Sequence, residues 1–196
     1  MVLGLTGKCC AGKDEAGRIL EEFGWNTIDV DALGHRALNN RREEVVRRFG
    51  EVVRDEQGKI DRKRLGEIVF SDSKALSDLE SIVHPEMREM VRRMLAENTN
   101  KTVINAALLF PMELHGFCDA VIRVEAPFIL RLVRAKRRDG HSIRKILKRF
   151  AGQRELFPKF LVRGVDTYSV RNSGSRELLR RRIEHVLKKI GKTNIR

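Results

Sequence analysis

A glycine-bearing segment near the N-terminus has the residue types of a loop that binds phosphate groups. Gly7 and Gly12 enclose four residues, and Lys13 follows the second glycine. Glycines allow a tight backbone path, successive N–H groups can then face one anion, and the lysine reaches the outer phosphates of a nucleotide. The predicted ATP-binding residues are Gly7, Lys8, Cys9, Cys10, Ala11, Gly12, Lys13, Asp14 and Glu15.

Asp14 stands where the phosphate-loop pattern has serine or threonine, whose hydroxyl binds Mg²⁺. A carboxylate is also a good Mg²⁺ ligand, but it brings a negative charge close to the phosphates. Lys8, within the loop, can offset that charge. Two interpretations therefore remain open for Asp14: it ligates Mg²⁺, or it favours the dipole at the start of a helix.

Two carboxylates follow the second apolar run of the chain. Asp29 and Asp31 flank Val30 at the carboxyl end of a strand candidate. In an open parallel sheet that end faces the ligand crevice, so we expect Asp31 to lie close to the bound phosphates. There it could accept a proton from an attacking hydroxyl. Alternatively, Asp31 caps the next helix.

These residues need a parallel α/β sheet to position them, and the hydrophobic pattern predicts one. The segment from Lys13 to Phe23 has one apolar face and predicts a helix between two strands. Residues 62–97 read as mostly helical, with a break at His84 and a new helix from Pro85. The strand candidates are residues 2–6, 27–30, 102–109, 120–124 and 168–170.

Length and composition indicate one globular domain. The chain has 196 residues, of which 41% are hydrophobic and 34% charged. Its longest apolar stretch, Ala106 to Phe110, is too short to span a membrane, and the opening residues lack a signal-peptide pattern, so we expect a cytoplasmic protein. Three cysteines and five scattered histidines predict neither a disulfide framework nor a structural metal site.

The net charge of +13 is concentrated in two segments. Residues 131–163 carry +10 and residues 176–196 carry +6, which leaves −3 for the rest. Such segments suit a phosphate-rich small molecule or a nucleic acid. Aromatic residues are only 6% and do not alternate with the basic residues as stacking platforms would, so we expect no nucleic-acid partner; a basic nucleic-acid-binding ATPase is the alternative from a different class.

Over nearly its full length the chain resembles the dephospho-coenzyme A kinase family. The phosphate loop and the Asp-x-Asp segment fit that family, and the most discriminating similarities are the stretch Gly58 to Arg62 and the pair His84-Pro85. Further similarities are Leu65, Val69-Phe70, Leu79-Glu80, Leu108-Leu109-Phe110, Arg134, Arg138-Asp139, Gln153-Arg154 and Asn172-Ser173-Gly174.

The resemblance implies phosphoryl transfer from Mg·ATP to the 3′-hydroxyl of dephospho-CoA. It implies a five-stranded parallel sheet flanked by helices (1–58, 98–134 and 166–196), a helical acceptor-binding region (59–97) and a basic lid (135–165). The implied catalytic residues are Asp31, Lys13 and Arg138, and the implied acceptor-binding residues are Asp31, Arg62 and His84.

The chain departs from the family pattern at several positions besides Asp14. Ala107 and Pro111 replace the proline and glutamate usual around Leu-Leu-Phe, and Asp166 lies two residues before Tyr168 rather than next to it. These departures leave open which residues between 166 and 174 contact adenine. Another kinase of the same loop type, acting on a nucleoside monophosphate or a small hydroxy acid, is the nearest alternative. The sequence indicates no oligomeric state.

Overall fold

The structure, a computed structural model, describes residues 1–98, 100–140, 142–152 and 164–193. It divides into two compact units. The first comprises Met1–Ile28 and Asn98–Arg196, and the second comprises Asp29–Glu97. The second unit thus begins well before residue 59, where the sequence places the start of the helical region.

A five-stranded parallel sheet with flanking helices confirms the predicted fold class. The strands are β1 (Val2–Gly7), β2 (Asn26–Asp29), β3 (Thr102–Asn105), β4 (Ala120–Glu125) and β5 (Asp166–Arg171). They stand in the order β2-β3-β1-β4-β5, which puts β1 in the centre.

The central strands are buried on both faces, as strands between two layers of helices must be. Leu5 of β1 lies opposite Asn105 of β3, and Gly7 lies opposite Val124 of β4. Because the strands are parallel, all their carboxyl ends lie on the same side of the sheet, and the residues that follow β1, β3 and β5 meet there. The phosphate loop lies at these carboxyl ends.

The described residues of the first unit form four α-helices: α1 (Lys13–Glu22), α6 (Phe128–Asp139), α7 (Ile143–Gly152) and α8 (Arg176–Thr193). Helix α1 buries Ala16, Gly17, Ile19 and Leu20. Its acidic side is tied to α8, because Arg176 pairs with Glu15 at 2.5 Å and also with Glu22. The core of this unit includes Leu3, Leu5, Val103, Ile122, Leu179, Ile183 and Ile190.

Four helices form the second unit: α2 (Val30–Asn40), α3 (Arg42–Phe49), α4 (Arg62–Val69) and α5 (Ser73–Glu97). A 3₁₀ turn at Glu51–Val53 leads into a tight turn that Asp55 closes, since its carboxylate accepts from Gln57 and Lys59 N–H at 2.9 and 2.8 Å. The apolar cluster of this unit contains Val45, Val46, Val53, Ile60, Leu65, Val69 and Ala75.

The predicted helix break at His84 is wrong. Helix α5 runs through Pro85 without interruption. A proline removes one backbone hydrogen bond, but Val83, Met87 and Val91 on either side are buried. Burying that apolar face outweighs the loss.

Most strand boundaries lie within one residue of the prediction, and two differ by more. Strand β3 ends at Asn105 rather than at residue 109, and β5 begins at Asp166. Gln153 and Arg154, part of the family resemblance, lie outside the described residues. Within the described part of the chain, no helix is both long enough and apolar enough to cross a bilayer.

Candidate active site

The phosphate loop turns sharply between β1 and α1. Ala11 N–H donates to Lys8 O at 2.9 Å, which closes the turn. Cys10 and Gly12 adopt positive φ values of 59° and 96°. A Cβ on Gly12 would lie 2.0 Å from Asn172 Nδ2, so both the backbone conformation and the available space require glycine at this position.

Three side chains from distant segments hold two carbonyl groups of the loop. Arg131 Nε donates to Cys9 O at 2.8 Å. The carbonyl of Ala11 accepts from Asn172 Nδ2 at 2.9 Å and from Arg134 Nη1 at 3.3 Å. Asn172 is buried at the end of β5, and its own Oδ1 accepts from Arg134 Nη2 at 3.5 Å.

Holding these carbonyls also orients the amides that follow them. No peptide bond in the described chain is cis, so C=O and N–H point in opposite directions across each peptide plane. The N–H groups of Cys10 and Gly12 therefore point away from α6 and β5. Two amides fixed beside the start of α1 are groups suited to binding an anion.

Three basic residues of α6 contact the phosphate loop. Arg131, Arg134 and Arg138 are spaced three and four residues apart, which places them on one face of the helix. All three contact the loop or its cysteines: Arg138 Nη2 lies 4.0 Å from Cys9 Sγ. The arginine face of α6 therefore lies against the phosphate loop.

Arg138 is held by its neighbour in the chain. Its Nε donates to Asp139 Oδ1 at 2.7 Å. This hydrogen bond is the main reason that the pKa of Arg138 is raised, and the nearby Cys10 and Cys9 thiols add to it against the effect of burial. The cation therefore stays charged next to the loop.

Arg131 is the most deeply placed of the three arginines. It is 7% exposed, and its guanidinium carbon lies 4.4 Å from the centre of the Phe150 ring. Burial lowers its pKa, while the Cys9 and Cys10 thiols oppose that effect. Packing against an aromatic face and bonding to Cys9 O together fix the guanidinium in one orientation.

Lys13 reaches across the loop to β3. Its Nζ donates to Asn105 Oδ1 at 2.7 Å and lies 3.7 Å from Asp14 Oδ1. Only 12% of the Lys13 side chain is exposed, against 73% for Asp14. Asn105, the last residue of β3, thus keeps the ammonium group extended towards the place where phosphates would lie.

The exposed carboxylate of Asp14 fits a magnesium ion that is carried mainly by a nucleotide. Among the described residues, no group of three or more His, Cys, Asp or Glu side chains could hold a metal ion by itself. Mg²⁺ is commonly bound by one or two carboxylates together with substrate phosphates and water. A single carboxylate at the start of α1 meets that need.

The Asp-x-Asp segment lies at the start of α2, in the second unit. Asp29, not Asp31, is the helix cap: its side chain accepts from Ala32 N–H at 3.3 Å. The capping alternative for Asp31 is therefore wrong. Asp31 is in the first turn with an exposed side chain, one helical turn before His35.

Within the second unit, His35 connects the region of Asp31 to Arg62. Asp31 and His35 are four residues apart and share a face of α2. His35 Nε2 lies 2.5 Å from Arg62 Nη1. Arg62 therefore contacts His35, and Asp31 lies on the same face of α2 as His35. Both Asp31 and Arg62 are predicted to bind the acceptor.

His84 is half-buried on α5. Burial lowers the pKa of its imidazole, and Glu80, one turn earlier on the helix, partly opposes the shift. The ring is therefore neutral at neutral pH, so it would act on a ligand by hydrogen bonding rather than as a cation.

The structure brings Lys13 and Arg138 to the phosphate loop in the first unit, whereas Asp31, Arg62 and His84 belong to the second. Sequence reasoning missed the supporting roles of Asn105, Arg131 and His35. Asn105 is a polar residue at the end of a buried strand, and its presence there was the available indication of a role in the site. Arg131 and His35 gave no local signal, because their partners are distant in the sequence.

The comparisons with known proteins agree with this geometry. The family model for dephospho-CoA kinase matches residues 1–175. The chain belongs to the dephospho-CoA kinase family. It is therefore a kinase, a phosphate-transferring enzyme, as the resemblance implied.

Two relatives of this dephospho-CoA kinase family member match along almost their entire length. The dephospho-CoA kinase of Borrelia garinii is 33% identical over 97% of this chain and 94% of its own. The Thermus thermophilus enzyme is 34% identical over 95% of this chain and 90% of its own.

Solved structures give the same result for the fold. A Thermus thermophilus protein superposes with a TM-score of 0.80 at 34% identity, covering 96% of this chain and 97% of that one. Dephospho-CoA kinase from Campylobacter jejuni gives 0.69 at 25% identity, with 98% of each chain covered. A gluconokinase from Sinorhizobium meliloti, at 0.55 and 15% identity over 99% of this chain and 94% of that one, shares the fold alone.

Replacing Asn172 with alanine should loosen the loop. Ala11 O loses its buried donor, so we expect ATP to bind roughly tenfold more weakly and unfolding to become easier by about 1–3 kcal/mol. Isothermal titration with ATP and urea unfolding would measure the two effects. Asn98→Ala is the matched control, since Asn98 accepts from Asn100 N–H at 3.1 Å. Equal ATP affinity in the two variants would contradict the proposed support.

Proposed function

We propose that this chain transfers the γ-phosphate of ATP to the 3′-hydroxyl of the ribose in dephospho-CoA, giving coenzyme A and ADP. Family membership over residues 1–175 is the observation that carries the proposal. The loop geometry supports it independently, because fixed amides, a lysine and an arginine-rich helix face are the groups that phosphoryl transfer needs.

The ATP phosphates would lie against the loop, in contact with the amides of Cys10 and Gly12. Lys13 would reach the β- and γ-phosphates, and its ammonium group is positioned by the hydrogen bond to Asn105. The remaining loop residues from Gly7 to Glu15 shape and position this surface. Since these groups are fixed before the nucleotide arrives, little reorganisation is required when charge moves in the reaction.

In the transfer step, the acceptor oxygen forms a bond to the γ-phosphorus while the bond to the β–γ bridging oxygen breaks. ADP leaves with that electron pair, and the proton of the hydroxyl passes to the Asp31 carboxylate. Arg138 would neutralise the transferring group by exchanging Asp139 for a phosphate oxygen. The transition state is loose, so positioning and charge contribute more than the strength of the base.

Magnesium would be held by Asp14 and by the phosphates of ATP, directly or through water. When bound, it neutralises charge on the β- and γ-phosphates. The Lys13 ammonium, 3.7 Å from Asp14, limits the repulsion between this carboxylate and the phosphates. Asp14 can therefore replace the usual serine or threonine, because the Lys13 ammonium lies beside its negative charge.

Acceptor binding is assigned to Asp31, Arg62 and His84. His35 joins this proposed set, since it contacts Arg62 and lies one turn from Asp31. Arg62 supplies positive charge for a phosphate of the acceptor, and the neutral His84 supplies a hydrogen bond. Residues 135–165 would act as the lid, with Arg138 on its first helix.

A panel of acceptors with Mg·ATP tests the proposed reaction. We expect ADP formation to depend on dephospho-CoA, with a product phosphorylated on the 3′-hydroxyl as determined by phosphorus NMR. Robust turnover of CMP, UMP or shikimate with none of dephospho-CoA would contradict the proposal and favour the alternative kinase. Strongly salt-dependent RNA or DNA binding at physiological ionic strength would favour the nucleic-acid-binding alternative.

Asp31→Asn should lower kcat by about 100-fold and leave ATP affinity unchanged, because the variant loses a positioned general base. Single-turnover kinetics and ATP titration measure the two quantities. Asp29→Asn is the matched control, since asparagine caps a helix as well as aspartate does and leaves Asp31 intact. Asp31 would have no role as a base if both variants turned over at the wild-type rate.

Asp14→Ala should raise the Mg²⁺ concentration required for half-maximal rate, while Asp14→Ser should restore an ordinary loop and most of the activity. The reason is that alanine offers Mg²⁺ no oxygen, whereas serine offers a neutral one. Titration of Mg²⁺ at fixed ATP measures the midpoint for each variant. An unchanged midpoint in Asp14→Ala would leave Asp14 with only its favourable interaction with the helix dipole.

A further inference from the structure

Two adjacent thiols occupy the phosphate loop itself. Cys9 Sγ and Cys10 Sγ lie 3.6 Å apart, close to van der Waals contact, and both side chains are partly exposed. They also pack against the cluster of Ala135, Ile146 and Phe150 from α6 and α7. Nothing in phosphoryl transfer requires a thiol at either position, since the loop binds phosphate through its backbone.

The surroundings of the thiols favour reaction with a peroxide. Arg138 Nη2 lies 4.0 Å from Cys9 Sγ, and Arg131 is bonded to the carbonyl of the same residue. A guanidinium beside the reacting sulfur can donate to the oxygen that leaves when a thiolate attacks a peroxide. A second thiol 3.6 Å away is in place to complete the reaction.

Cys118 offers a contrast within the same chain. Its thiol donates to Leu114 O at 3.4 Å, and burial raises its pKa to about 12. Because the thiolate is the reactive form, Cys118 stays inert under conditions in which an exposed thiol reacts. It therefore serves as an internal reference.

We propose that Cys9 and Cys10 form a redox-sensitive pair that a hydroperoxide converts into a disulfide, which prevents the loop from binding nucleotide. One thiolate attacks the peroxide, the O–O bond breaks, and an alcohol or water leaves, giving a sulfenic acid. The second thiol then attacks that sulfur, the S–S bond forms, and water leaves. In total, two thiols and one hydroperoxide give one disulfide, one alcohol and one water.

The effect on nucleotide follows from the ring that this bond closes. A disulfide between adjacent cysteines closes an eight-membered ring that contains the Cys9–Cys10 peptide group. That peptide carries both the carbonyl held by Arg131 and the Cys10 N–H, which is proposed above to contact the ATP phosphates. Closing the ring draws the sulfurs together from 3.6 Å and turns this peptide, so the amide no longer meets the phosphate. Strain in the ring also keeps the disulfide easy to reduce.

Treatment of the reduced protein with tert-butyl hydroperoxide tests the proposal. We expect an intact mass lower by about 2 Da, with the new bond mapped to Cys9 and Cys10 and Cys118 still a free thiol. ATP affinity should fall roughly tenfold or more, since a charge-assisted hydrogen bond is lost, and dithiothreitol should restore it. Bound ATP should slow the oxidation.

Single variants distinguish a disulfide from other oxidation. Cys9→Ser and Cys10→Ser, each compared with its own reduced form, should never show the loss of about 2 Da, whereas Cys118→Ser should behave as wild type. Oxygen addition without a disulfide, a bond that involves Cys118, or a disulfide with unchanged ATP affinity would each overturn the proposal.

The inference relies on the proposed binding of ATP by this loop, but its failure can be told apart from failure of the proposed reaction. Disulfide formation is measured by mass, and ATP affinity is measured without acceptor. If both change as expected while dephospho-CoA is not phosphorylated, the proposed reaction fails and the thiol pair stands. If dephospho-CoA is phosphorylated and no disulfide forms, the reverse holds.

Discussion

The site depends on one constraint: the direction of two peptide groups in a loop of seven residues. A glycine-rich loop has many available conformations, and an anion selects among them only if the amides are already aligned. Here Arg131, Arg134 and Asn172 fix the carbonyls of Cys9 and Ala11 from outside, and planar trans peptides pass that order to the amides. The ordering entropy is therefore lost on folding and not when ATP binds.

The same constraint explains the distribution of charge. A net charge of +13 could indicate a surface for polyanions. However, Arg131, Arg134 and Arg138 of α6 all contact the phosphate loop. Arg131 and Arg134 are used in building the loop, and Arg138 remains next to it with Asp139 as a temporary partner. Two of these arginines, Arg131 and Arg134, thus support the phosphate loop, and the third, Arg138, is available to a substrate.

Local sequence was sufficient for the parts of the fold with local causes. Alternating strand and helix patterns predicted the parallel sheet. The glycines and the lysine of the segment from Gly7 to Lys13 predicted the phosphate loop. Local rules failed where packing outweighed them. Pro85 suggested a helix start, yet the buried residues around it keep α5 continuous. Helix capping was the alternative interpretation of Asp31, and the structure shows that Asp29 is the cap. Asn105 and Arg131 escaped prediction because their partners, Lys13 and Cys9, lie 92 and 122 residues away in the sequence.

The separation in sequence between the loop and its supports has a consequence for synthesis on the ribosome. Ala11 and Asn172 are 161 residues apart, and Cys9 and Arg131 are 122 apart. At the usual elongation rate of roughly 5–20 residues per second, the loop emerges about ten to thirty seconds before its last support. Until Asn172 is synthesised, the carbonyl of Ala11 lacks the hydrogen bond that this side chain donates to it. The nascent chain thus completes its nucleotide site only after β5 and the following Asn172 have been synthesised.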